Sequence, residues 1–130
     1  MLSADQRPTS RATSESVENQ RTLRIRELND AFRHKLPRTG KGYRLNLTAG
    51  VASLGVTQVA QLLLSVRSFA DFSSDNDPHG EHDFGAIDQD DIRVFWKIDA
   101  YDQWIQFGSP DPTDPSLTTR VMTIMLASEY

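Results

Sequence analysis

Val94, Trp96 and Ile98 alternate with Arg93, Phe95, Lys97 and Asp99, a period of two that fits a β-strand half buried on one face. Shorter runs flank it. Phe84–Ile87 precedes it across the turn Asp88-Gln89-Asp90-Asp91, and Gln103–Phe107 follows a turn near Ala100 to Asp102. Connections this short cannot carry a crossover, so the three runs predict an antiparallel meander.

The cover for that sheet is expected from helices. Ile25, Leu28, Phe32 and Leu36 recur at spacings of three and four, which predicts a helix from about Glu18 to Leu36. Arg33, His34 and Lys35 suit the negative end of its dipole, and Pro37 and Gly40 end it. Tyr43, Leu45 and Leu47 alternate with polar residues as a short strand. A second helix is expected from Val56 to Phe69, with Val59, Leu62, Leu63, Val66 and Phe69 along one face. It carries no charge between Val56 and Val66 and is expected to be the most buried helix. Asp114 as N-cap with Pro115 at the first helical position predicts a last helix bearing Leu117, Val121, Ile124 and Met125. The resulting order is α-β-α-β-β-β-α. It describes a single α+β domain over residues 19–130, a small and mostly antiparallel sheet packed by helices, after a disordered polar tail at 1–18.

At 130 residues the chain has room for one core. No apolar run approaches the roughly 18 residues of a membrane span, and no signal-peptide pattern stands at the N-terminus. With no cysteine, disulfides and thiolate chemistry are excluded, and a cytoplasmic setting is expected. The net charge of −4 hides a division. Residues 1–70 hold eleven Arg and Lys against five Asp and Glu, whereas residues 71–114 hold two against twelve. The first expectation is that the two halves neutralise each other in the fold. If they do not, the acidic stretch is a surface that repels nucleic acid and attracts cationic partners or metal ions.

The densest chemistry lies at Asp75 to Gly85, reading Asp-Asn-Asp-Pro-His-Gly-Glu-His-Asp-Phe-Gly, with two of the three histidines. As a calcium loop it fails, because His79 takes the fifth position and Ala86 the twelfth, where a bidentate glutamate belongs. Asp75, Asp77, His79 and His82 are candidate ligands for a divalent transition metal, though no cofactor is predicted. Glu81, His82 and Asp83 are candidate acids or bases. The competing reading is a turn-rich loop whose aspartates cap turns and whose imidazoles bond to backbone. His82-Asp83 does not make an HD phosphohydrolase, since only His34 remains as a further histidine. Gly50 to Gly55 is neither a Walker A loop nor a nucleophile elbow, and reads as a connecting turn with a helix cap.

Several segments together resemble a known family: Arg26–Phe32, Leu47–Val51, Asp75–Gly85, Lys97–Asp99, Gly108–Pro112 and Val121–Ala127. The chain from about residue 20 to 130 is similar to bacterial domain-of-unknown-function family 3768. The resemblance implies a small bacterial protein, often encoded on plasmids or other mobile elements, with no settled activity. It adds the expectation of an inhibitor that occupies the basic groove of a host defence enzyme.

The sequence therefore predicts a binding domain rather than an enzyme. Its partner is expected to be a protein, met through Asp88, Asp90, Asp91, Asp99 and Asp102. The alternative is a metal-dependent hydrolase using residues 75–83. A third reading is nucleic-acid binding through the basic first helix, ranked last because basic residues on a helix with a clean apolar stripe are more often a solvated face. Oligomeric state is left open.

Overall fold

The computed structural model describes residues 10–130, with side chains from residue 15 onward. Its elements are helix α1 (Ser10–His34), strand β1 (Tyr43–Leu47), the single turn of helix α2 (Ala49–Ala52) and helix α3 (Val56–Arg67). Strands β2 (Phe84–Gln89), β3 (Ile92–Tyr101) and β4 (Thr119–Leu126) follow, with 3-10 turns at Pro115–Leu117 and Ala127–Glu129. Helix α1 thus starts at Ser10 rather than near Glu18. The part of the expected tail that precedes Ser10 lies outside the described residues.

The sheet is mixed, in the order β1-β4-β3-β2, rather than a three-stranded meander. β3 pairs antiparallel with β2 and with β4, while β4 pairs parallel with β1. The segment expected to be the last helix is β4, a central strand. Val121, Met122, Ile124 and Met125 are all buried, because β4 is covered on both faces and flanked on both edges. A strand buried on both faces loses its alternation and reads as a continuous apolar run. Asp114 does accept from the Ser116 amide as a cap, yet the turn it starts lasts only Pro115–Leu117.

The expected third strand, Gln103–Phe107, is a loop. Asp102 Oδ1 accepts from the amides of Trp104 (3.1 Å) and Gln106 (3.0 Å), which curls the chain back. The Asp102 amide then donates to Phe107 O at 2.8 Å. An aspartate side chain that captures following amides competes directly with strand pairing.

Helices cover one face of the sheet. Trp96 is fully buried beneath the edges of Phe69 and Phe72, at centroid distances of 5.5 and 6.2 Å. Phe32, Leu36, Val51, Leu62, Val66, Val94, Ile98, Met122 and Ile124 complete the core. Helix α3 is not the most buried helix. It buries only Leu62 and Val66 and leaves Val56 88% exposed, whereas α1 buries Ile25, Leu28, Asn29, Phe32 and Arg33. Absence of charge on α3 marks a neutral face, and α1 lies deeper because its polar residues bond to the protein interior. Arg33 shows how: its Nη1 donates to the carbonyls of Val66, Arg67 and Phe69 at the C-terminal end of α3. Val66 O also accepts from the Phe69 amide at 3.2 Å, and the buried guanidinium caps the same helix end and ties the two helices together.

Candidate functional site

The acidic loop docks on α1 through three consecutive residues. Arg26 Nε donates to Gly80 O (2.6 Å), Asn29 Nδ2 donates to Glu81 O (2.9 Å), and His82 Nδ1 meets Asp30 Oδ1 at 2.9 Å. Residues 26, 29, 30 and 33 share one face of a helix at three- and four-residue spacing, so the loop and the end of α3 are held from a single rail. The loop's own bonds complete the shape. Asp77 Oδ1 accepts from the His82 amide (3.1 Å), and Gly80 and His82 adopt left-handed backbone angles, φ 70° and 54°. The His82 ring stacks on Phe72 at 3.7 Å with the planes 3° apart.

Beside this seam a cleft of about 220 Å³ opens between α1, the loop and the sheet. Glu81, Asp83 and Asp99 supply its carboxylates, Arg21 and Arg120 its cations, and Asn29 sits among them. Burial holds the carboxyl of Glu81 above its ordinary range, and the Asp83 charge pushes it the same way. Asp83 is likewise raised, first by burial and then by Asp77, against the opposing bond from its own amide. Neither forms an ion pair among the described residues. Arg120 is 1% exposed; its Nε donates to Asn29 Oδ1 (2.8 Å) and its Nη2 to Pro112 O. Burial lowers the guanidinium's affinity for its proton, and no carboxylate lies within ion-pairing distance of it among the described residues.

The family model described as protein of unknown function (DUF3768) matches residues 47–129 of this chain. The chain belongs to that family. The DUF3768 match covers the acidic loop and β2 to β4, and therefore Glu81, Asp83, Asp99 and Arg120. Helix α1, which brings Arg21 and Asn29, precedes it. No curated protein and no solved structure matches the chain.

In this DUF3768 protein the structure brings two of the candidate metal ligands Asp75, Asp77, His79 and His82 into contact, Asp77 and His82. Asp75 and His79 are exposed, Asp77 is buried against the His82 amide, and the His82 ring lies between Asp30 and Asp77. Among the described residues no three His, Cys, Asp or Glu side chains form a group that could hold a metal ion. Of the candidate acids and bases, Glu81 and Asp83 share the cleft, whereas His82 belongs to the Phe72–Asp30 seam.

The acidic partner-binding candidates divide between the two ends of β3. Asp88 pairs with Arg93 (3.2 Å), and Asp90 and Asp91 form the β2–β3 turn with φ of 51° and 64°. Asp102 holds its loop at the far end, about 30 Å away along a ten-residue strand. Asp99 lines the cleft and pairs with Lys97 at 3.1 Å. Arg120 and Asn29 escaped the sequence reading. An arginine in an apolar segment is the available signal for the first, and the second lies in the family-like segment Arg26–Phe32, which does not mark its role. No helix among the described residues is long and apolar enough to cross a membrane.

Proposed function

We propose that this DUF3768 protein is a binding domain that takes a basic side chain of a protein partner into the Glu81–Asp83–Asp99 cleft. One observation carries the reading. Glu81 and Asp83 stand in one cleft, both held toward the neutral form by burial, with neither ion-paired among the described residues. An incoming guanidinium or ammonium relieves that cost, since an opposite charge favours the ionised carboxylate. Binding then releases protons and weakens as pH falls through the raised carboxyl range. The proposed setting is the cytoplasm, in keeping with the absence of cysteine. An enzyme whose basic groove this domain occupies as an inhibitor is one special case of such a partner.

The test is calorimetric titration with a short arginine-rich peptide and its polyglutamine counterpart. Glu81→Gln and Asp83→Asn are each expected to weaken the arginine peptide by about ten-fold. Asp90→Asn with Asp91→Asn, at the far turn, leaves it unchanged. Equal losses from both pairs would mean diffuse acidity rather than a cleft.

A second reading takes the same carboxyl pair as a general acid and base, because raised carboxyls in a cleft are what such chemistry uses. A metal-dependent hydrolase would instead need Asp77, His79 and His82 to move together. Thermal shift with zinc or manganese, abolished in His79→Ala or His82→Ala, would favour it.

A further inference from the structure

Lys35, Arg38, Lys41 and Arg44 are all exposed, and none pairs with a carboxylate among the described residues. They line two adjoining cavities of about 780 and 300 Å³, which share Gly40, Lys41 and Tyr43. No Asp or Glu lines either one. A protein with a net charge of −4 thus carries a continuous cationic groove running from the end of α1 across the start of β1.

Trp104 stands in the wall of the larger cavity and is 73% exposed. Its position is built. Asp102 Oδ1 binds the amides on both sides of Ile105, and Ile105 itself has φ 57°. A β-branched residue in the left-handed region is a strained placement. A loop that accepts this strain while leaving an indole in water is displaying the ring rather than burying it.

We infer that this groove binds single-stranded nucleic acid, with Trp104 as the base-stacking platform and Lys41 and Arg44, extended by Lys35 and Arg38, as the phosphate track. Unpaired cations beside an exposed ring on a hydrogen-bonded loop are the two parts such binding needs. A duplex hides its base faces from the ring, so single strands are favoured. An acidic peptide would meet the cations and give Trp104 no stacking partner. The groove is separate from the carboxylate cleft, and the acidity of the β2–β3 turn keeps phosphate away from that end of the sheet.

The protein reports its own occupancy. Trp96 is fully buried and Trp104 exposed, and these are its two tryptophans, so fluorescence quenching reads the groove. Titration with a short oligothymidylate at low salt is expected to give saturable quenching and a rise in anisotropy of the labelled strand. Trp104→Ala should lose about ten-fold in affinity by anisotropy, and Trp104→Phe should recover most of it. Lys41→Gln with Arg44→Gln should flatten the dependence of log K on log salt by about 0.7 for each phosphate that is no longer neutralised. Glu81→Gln should bind the strand as the parent does. Absence of binding, equal affinity for the matching duplex, full competition by polyglutamate, or a Trp104→Ala variant that binds normally would each overturn the inference.

Discussion

Arg120 on the central strand donates from Nε to Asn29 Oδ1 on α1 across 2.8 Å, and the amide of the same Asn29 donates to the carbonyl of Glu81. One buried side chain thus joins the sheet, the first helix and the acidic loop. Asn29→Ala removes both bonds and leaves a buried guanidinium short of a partner. The expected loss is about 2–4 kcal/mol in urea unfolding. A loss under about 0.5 kcal/mol would show that Asn29 is not the joint.

His82 combines a left-handed backbone with a stacked, hydrogen-bonded ring. His82→Ala and His82→Gly both remove the ring contacts, but only glycine relieves the backbone. His82→Gly is therefore expected to be the more stable of the two by about 1 kcal/mol, measured by denaturant midpoint. The reverse order would place the cost elsewhere.

Gly85 lies against the buried indole of Trp96. A methyl group there would fall 2.6 Å from Trp96 Cε2 and closer still to Nε1. The Trp96 ring is fully buried beneath Phe69 and Phe72, so Gly85→Ala is expected to cost about 1–3 kcal/mol. Retained thermal stability would mean the Trp96 ring can shift.

Glu81 sets a pH signature of stability. Its carboxyl is raised in the folded state, so above that raised range it is charged both folded and unfolded, and the folded state bears the full penalty. Below the ordinary carboxylate range it is neutral in both, and the penalty vanishes. Glu81→Gln should therefore raise thermal stability at neutral pH, with the advantage fading as pH falls through the carboxylate range. An advantage that persists in acid would refute the electrostatic cause.

Much of this fold could be read from residues in order. The stripe Ile25–Leu28–Phe32–Leu36 is buried as expected, and the alternation of Val94, Trp96 and Ile98 is the helix-facing side of β3. These succeeded because each element meets water on one face and core on the other, which leaves a periodic trace. Within Asp75–Gly85, the reading as a turn-rich loop with a capping aspartate matches Asp77 at the His82 amide. The imidazole partner is different, since His82 meets the Asp30 carboxylate rather than backbone.

Where the trace is erased, order along the chain misleads. β4 is enclosed on both faces, so its apolar run carries no period, and the Asp114-Pro115 start signal, sound in itself, launches one 3-10 turn before pairing with β1 and β3 takes over. Composition and local patterning were enough for an α+β domain, and the resemblance of the quoted segments for the family. Pairing across the sheet was needed to place Arg120 on Asn29, to gather Glu81 and Asp83 in one cleft, and to leave Trp104 in water. Those relationships join residues up to 91 positions apart, and no local propensity encodes a contact that exists only once the strands are paired.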